Sequence, residues 1–458
     1  MKYVIRKVAL VFIFSIVLGV AFYAQEYKAL SELFSMSATS ETAQPPLTAW
    51  TNAYGGSEWD QAYSVVQIDD GKYVFVGRTN SFGAGNLDCL LIKTDTRGNT
   101  IWSKTFGGTD DDWPSAVIQT DDGGYVIAGG TRSTGAGSYD FWVLKTGSQG
   151  NVIWDKTYGE AAWDFAHSVV QTVDGGYAIT GVKDFMGANS GDFWLVKIDA
   201  SGNVQWNQTY GDVAPDEALA LVQTSDGGYA MAGTGFANLV KTNADGDQQW
   251  AKYYGFVANS LDQTNDTGYI LTGYSYDTNA EDYDLWLIKT DADGNIQWNK
   301  TIGGSGWDFA RSVIQTSDGG YAIAGYTRSY GAGSYDFWLI KADIAGNLQW
   351  NQTYGGTYVD QAFSVIETSD RGYLMIGKTD SFGSGSSDFW LVKLAGPWNY
   401  DVTGDGYCGI DDIVAVAEHF STYPGHQNWN PIYDINEDSY VGIDDIVLIA
   451  EHFGESII

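Results

Sequence analysis

A short motif ending in tryptophan recurs along most of this chain, at Trp50, Trp102, Trp154, Trp206, Trp250, Trp298 and Trp350. Most copies carry Gly-Asn just upstream and lead into an aromatic-Gly step such as Tyr158-Gly159; before Trp50, Leu47-Thr48-Ala49 stands instead. The spacings are 52, 52, 52, 44, 48 and 52 residues. A period in this range marks a repeat architecture, in which one supersecondary unit packs on copies of itself.

The stretch from Trp298 to Trp350 shows the unit most clearly. Four apolar runs, Ser312 to Gln315, Tyr321 to Gly325, Phe337 to Lys341 and Leu348 to Tyr354, stand between turn signals. The turns are Asp318-Gly319-Gly320, the glycine-rich stretch around Gly331 to Gly333, and Ala345-Gly346-Asn347. Gly and Asn supply the positive φ that such turns need. Each unit therefore reads as four short strands. Tyr321, Ile323 and Gly325 point to one face and Ala322 and Ala324 to the other, so the sheet needs cover on both sides. Radial stacking of four-stranded sheets supplies it. Seven Trp strands and seven Tyr strands (Tyr73, Tyr125, Tyr177, Tyr229, Tyr269, Tyr321, Tyr373) predict an all-β, seven-bladed β-propeller over residues 48–396. The chain enters at a Trp strand, Thr48 to Tyr54, and the last unit ends after Phe389 to Lys393 without one. These two strands are expected to pair and close the ring.

The ends depart from the repeat. Lys2, Arg6 and Lys7 precede an uncharged, mostly apolar run from Val8 to Ala24 with small residues at Gly19-Val20-Ala21, the pattern of a cleaved signal peptide over residues 1–24. The run is short of the ~20 apolar residues of a spanning helix, although retention as a membrane anchor is the other reading. Residues 25–47 and 397–400 read as linkers. The final segment, 401–458, holds DVTGDGYCGIDDIVAVAEHF from Asp401 and DINEDSYVGIDDIVLIAEHF from Asp434. Each copy puts oxygen-bearing side chains at loop positions 1, 3, 5 and 12 and then enters an apolar-periodic helix. The sets are Asp401, Thr403, Asp405 and Asp412, and Asp434, Asn436, Asp438 and Asp445, with the carbonyls of Tyr407 and Tyr440 at position 7. Hard cations such as Ca²⁺ take roughly six to eight oxygens, and this spacing wraps them around one ion.

This segment resembles a type I dockerin, the duplicated calcium-loop module that docks onto cohesin domains. The resemblance implies a small α-helical domain, two Ca²⁺ ions and a cohesin-type partner. Ser439 replaces the Gly that the sharp turn prefers, as Gly406 supplies in the first loop, which predicts a weaker second site. Partner contact would fall at loop positions 10 and 11. These hold Ile410-Asp411 and Ile443-Asp444 here, where dockerins commonly have a Ser/Thr pair, so partner identity does not carry over. A purely structural calcium module is the alternative. The Asp95-x-x-Gly98-Asn99-x-x-Trp102 motif also resembles the tryptophan docking motif of quinoprotein dehydrogenase propellers, one residue shorter. That motif and the sialidase Asp box, which it resembles more loosely, are scaffold features.

Charge narrows the partners. Lys and Arg number 24 against 57 Asp and Glu, for a net charge of −33. Such a surface repels phosphate backbones and argues against nucleic acid. The two cysteines, Cys89 and Cys408, read as small buried apolar residues, so extracellular stability would rest on ring closure and calcium rather than a disulfide. Asp recurs before the first strand of most blades (Asp60, Asp112, Asp164, Asp216, Asp308, Asp360), which reads as structural capping of loop amides, since one active site needs one constellation. His167 stands alone where other blades carry Tyr63, Arg311 or Phe363. No nucleophile triad or His-cluster metal spacing is present.

Unit four lost eight residues between its second and third strands, and unit five lost four before its first. Both loops belong to one face, which predicts a notch near Asn238 and Asn259 flanked by Tyr274, Tyr276, Asp277, Asp282 and Tyr283. Tyrosine faces there would stack on a sugar and the carboxylates would meet a cation or polar ligand. Plain repeat decay is the alternative. The chain thus reads as a secreted or cell-surface calcium-binding protein. It would have a monomeric propeller that binds protein or glycan, a dockerin that docks onto a cohesin-bearing scaffold, and no membrane attachment after cleavage. The rival is a secreted polysaccharide-degrading hydrolase or lyase with a propeller catalytic domain; the sequence leans away from an enzyme without excluding one.

Overall fold

The computed structural model describes residues 45, 46, 48–185, 191–277 and 281–396, and from the C-terminal segment residues 402, 408–423, 426, 433, 435 and 440–451. From Thr48 to Leu394 the chain forms seven four-stranded antiparallel sheets. It is an all-β, seven-bladed propeller. The first strand of each blade is innermost: Asp60–Gln67, Asp112–Gln119, Trp163–Gln171, Glu217–Gln223, Val257–Gln263, Asp308–Gln315 and Asp360–Glu367 each lie against the inner strands of both neighbouring blades. The seventh blade takes its outer strand from the start of the chain. Thr48–Tyr54 runs antiparallel to Asp388–Leu394, with Thr51 opposite Val392 and Tyr54 opposite Phe389. This is the closure the unmatched end strands predict, and it leaves no blade with an open edge.

The two repeated aromatics prove to be halves of one contact. Each outer-strand Trp packs on the Tyr that opens the second strand of the next blade: Trp50 on Tyr73, Trp102 on Tyr125, Trp154 on Tyr177, Trp206 on Tyr229, Trp250 on Tyr269, Trp298 on Tyr321 and Trp350 on Tyr373, with ring centroids 5.7 to 6.2 Å apart. Such a pair contributes about 0.5–1.5 kcal/mol beyond the area it buries. Middle strands such as Tyr125–Thr131 and Asp140–Thr146 are buried along their whole length, because a neighbouring blade covers each face.

One strand boundary differs from the sequence reading. The inner strand of the sixth blade starts at Asp308, not Ser312, because the register shifts between Ala310 and Ser312. That bulge reverses the parity of the side chains and hides the first half of the strand from an alternation pattern.

The second unit holds two short helices, α1 (Ile410–Glu418) and α2 (Ile443–Glu451). Val402, Cys408, Ile413, Val416, Ile435, Val441, Ile446 and Ile449 form its core. Cys89 and Cys408 are both buried. Among the described residues no helix is long and apolar enough to cross a membrane; the signal-peptide and linker segments lie outside them.

Candidate functional site

The bulge of the sixth blade recurs in all seven. Pairing with the second strand slips in every inner strand, after Ala62, Pro114, Ala166, Ala218, Ala258, Ala310 and Ala362, and in the third blade it slips a second time after Trp163. A glycine in the facing strand makes room for it. At Gly325 a Cβ would overlap the carbonyl oxygen of Phe309, and the equivalent Gly77, Gly129, Gly181, Gly233, Gly273 and Gly377 meet the same obstruction. The Tyr-x-x-x-Gly pattern of the second strand therefore encodes a close backbone approach. The approach leaves one inner-strand residue per blade unpaired and half-buried, re-aimed by the bulge.

Those seven residues are Tyr63, Ser115, His167, Leu219, Asn259, Arg311 and Phe363. No two are alike, although the scaffold around them repeats nearly residue for residue. Several reach a side chain or carbonyl of their own or the next blade. Tyr63 and Phe363 lie 5.7 Å apart between ring centroids. His167 Nε2 is 2.6 Å from Glu217 Oε1, and Asn259 Nδ2 donates to the Ala310 carbonyl at 2.7 Å. Arg311 Nη2 donates to the Tyr326 hydroxyl at 2.9 Å. Burial works against the Glu217 charge, but the hydrogen bond and charge of His167 outweigh it and hold the carboxyl below its usual range. The bulges lie three residues past the loops that enter the inner strands, so the variable ring sits at that mouth of the central channel. The sequence held the signal: aligning each blade on its pre-strand Asp brings the varied position into one column.

The repeated carboxylates form the frame of the same face. Asp308 accepts hydrogen bonds from the Gly304 amide, the Thr327 hydroxyl and the Ser329 hydroxyl. Asp112 and Asp360 repeat the arrangement, which is the loop capping expected of this row. A second row went unread. Asp88, Asp140, Asp336 and Asp388 open third strands and accept two loop amides each, such as Ala332 and Gly333 on Asp336. The rows meet at the aromatic-Gly step. A Cβ at Gly107 would overlap the carboxylates of both Asp88 and Asp112, and Gly55, Gly159, Gly211, Gly303 and Gly355 sit between equivalent pairs. Burial raises the pKa of Asp88 and Asp336, the loop amides pull it down, and the neighbouring Asp112 or Asp360 raises it again.

The junction between blades four and five breaks the frame, and both truncated loops belong to it. Asn238 stands in the third-strand position and Phe256 in the inner-strand position. Asn238 is fully buried; its Oδ1 accepts from the Tyr254 and Gly255 amides, and its Nδ2 donates to the Phe256 carbonyl. Phe256 packs on Trp286, 5.1 Å between centroids. A shortened loop no longer needs a carboxylate to cap it, and both acids are gone.

The loop that kept its length is a raised hairpin, with pairing that runs out to Asp277 opposite Asp282. Its tyrosines come together: Tyr283 lies 5.7 Å from Tyr274, 5.0 Å from Tyr276, 5.4 Å from Trp307 and 5.5 Å from Phe309. Asp282, at the end of the hairpin pairing, is buried, and Tyr276 is half exposed. The Asp277 side chain lies outside the described residues.

Of the proposed calcium ligands, Asp401, Thr403, Asp405, Tyr407, Asp434, Asn436 and Asp438 lie outside the described residues. Asp412 and Asp445 are fully buried. Asp412 Oδ2 accepts from the Gly409 amide, while Asp445 accepts from the Ile435 and Gly442 amides, which draws loop position 2 to position 12. Tyr440 and Ile443 are exposed and Ile410 is half-buried. The side chains of Asp411 and Asp444 lie outside the described residues.

No protein-family model matches the chain, and no curated protein matches it with significance. It is similar to solved structures at low identity. The Pan2 WD40 domain of Neurospora crassa shares 12% identity at a TM-score of 0.49, over 76% of this chain and 94% of that one. Sqt1 of Chaetomium thermophilum shares 10% at 0.45, over 77% and 100%. A protein of unknown function from Bacteroides caccae shares 11% at 0.42, over 64% and 98%. Nothing about a ligand follows from these likenesses.

Proposed function

We propose that the propeller is a binding module for a protein or glycan ligand, and that the ligand is read by the ring of bulge residues at the loop-side mouth of the channel. One observation carries this reading. Seven copies of one scaffold present seven different side chains at the single position the bulge re-aims. A repeat under purely structural demands would keep that position as uniform as its Trp, Tyr, Gly and Asp. Loops and bulges on a rigid frame are where recognition residues collect. The test is a glycan and peptide binding screen with the full chain, followed by the triple substitution His167→Ala, Asn259→Ala, Phe363→Ala. At unchanged melting temperature, ligand binding should fall at least tenfold. A binding footprint on the opposite face, at the Asp-Gly-Gly turns, would defeat the assignment.

The same reading makes the protein secreted or cell-surface attached, tethered to a cohesin-type partner by a dockerin-like segment. The support is the duplicated loop sequence and the buried Asp412 and Asp445 at position 12 of each loop. Ca²⁺ held by Asp401, Thr403, Asp405 and Asp412, and by Asp434, Asn436, Asp438 and Asp445, would offset the repulsion of the crowded carboxylates and so favour the folded segment. Titration calorimetry of the chelator-treated full chain should show two calcium sites, the Ser439 loop weaker. Heat of binding from fewer than two sites would refute that assignment.

A further inference from the structure

One arc of the mouth gathers cations and rings. Arg78 lies over Trp113 at 3.7 Å and over Trp59 at 4.2 Å, and its Nη2 donates to Gln61 at 3.0 Å. Tyr63 is 5.5 Å from the Arg78 guanidinium and 5.7 Å from Phe363. Phe363 is 6.0 Å from the Arg311 guanidinium. Arg311, Phe363, Tyr63, Arg78 and Trp113 thus run continuously across blades six, seven, one and two.

The arc has donors to spare. The Nε atoms of Arg78 and Arg311 are buried without a partner, and the Tyr63 hydroxyl has no acceptor. Neither arginine forms an ion pair with a carboxylate among the described residues. Asp111, the acid whose charge reaches Arg78, is engaged with Arg132 at 3.4 Å. In a chain with 57 acids and 24 bases, two guanidinium groups left without an acid run against the composition. Buried donors without acceptors cost free energy, and an anion placed among them would remove that cost.

We infer that this arc binds a carboxylate-bearing saccharide of the uronic acid class. The inference rests on the reading of the mouth as the ligand surface. A guanidinium fork matches a carboxylate in two parallel hydrogen bonds. A pyranose uronate carries its carboxylate at a fixed distance from an apolar C–H face. It can therefore meet an arginine and the flanking Tyr63, Phe363 or Trp113 ring at once. An acidic peptide offers the carboxylate without the attached ring face.

The experiment is calorimetry of the full chain against galacturonate, mannuronate and glucuronate oligomers, the same oligomers after carboxyl reduction, and hexaglutamate. At least one uronate oligomer should bind, and binding should weaken as salt is raised. Carboxyl reduction or Arg311→Gln should each weaken it tenfold or more, and Arg311→Lys should restore part of the loss. Melting temperature and near-ultraviolet dichroism establish that the variants fold, and the salt dependence of the unmodified chain needs no variant. Equal binding of the reduced oligomers, binding of hexaglutamate alone, or no uronate binding would each overturn the inference. If the triple ring substitution still abolishes binding of another ligand, the binding role stands and only the anion assignment falls.

Discussion

The two ends of a blade use the same residue in opposite ways. At the Asp-Gly-Gly turns, and at Asp266-Thr267-Gly268 in the fifth blade, Asp122, Asp174, Asp226, Asp266 and Asp318 each meet a buried third-strand lysine at 2.8 to 2.9 Å. Partial burial opposes the charge of Asp122, but the bonds from Lys145, the Thr120 hydroxyl and the Gly124 amide prevail and bring its pKa down to about 2. At the other end, aspartates face aspartates across a glycine, and burial with like charge pushes Asp88, Asp164, Asp192 and Asp336 upward, in Asp88, Asp164 and Asp336 against bonds from backbone amides. An acid repeated from blade to blade is thus a clasp at one end and a strained cap at the other. At neither end does it single out a ligand. The one junction without the acid pair is the one whose loops are short, which identifies the pair as loop architecture.

The turn end should give the largest effect. Lys289 is almost fully buried, while Asp266 is half exposed. Asp266→Ala leaves an ammonium without its counter-ion, at a cost of about 3 kcal/mol. Lys289→Met leaves an aspartate that water can reach, at a cost of about 1 kcal/mol. Denaturant unfolding should rank the two in that order, and equal losses would remove the asymmetry on which the clasp is argued.

The loop end should respond with the opposite sign. Asp88→Asn keeps an acceptor for the Ala84 and Gly85 amides, as Asn238 Oδ1 is for the Tyr254 and Gly255 amides at the irregular junction, and it removes a charge beside Asp112. It should stabilise by about 1 kcal/mol near pH 8. The Asp88 pKa is raised on folding, so the folded state holds the proton more tightly. Stability from this group therefore falls as pH rises from the ordinary carboxylate range through the raised value, and the gain from Asn should shrink toward pH 4. The clasp aspartates have lowered values, so their contribution is complete above the ordinary range and is lost as pH falls toward about 2. Melting curves from pH 2 to 8 should separate the two behaviours. A gain from Asp88→Asn that does not change with pH would show that repulsion between the acids is not its source.

The architecture was legible in the sequence because it is repeated. Trp, Tyr, Gly and Asp each recur in nearly every copy, and recurrence at a constant spacing needs no long-range information. Blade number, strand order and the closure of Thr48–Tyr54 on Asp388–Leu394 all followed from it. The notch was read from loop length alone, which cannot say whether a neighbour fills the space; Asn238 and Phe256 are both buried there.

What the tertiary structure decided is which position the bulge sets apart. A bulge shifts side-chain parity by one residue, so alternation in the sequence points Tyr63, His167 and Arg311 to the wrong face or to none. Only the close approach of each inner strand to a glycine in the next strand shows that one residue per blade is set free. The pairing of acids across Gly107 and its equivalents was equally out of reach, because its members come from adjacent blades and meet only when the ring forms.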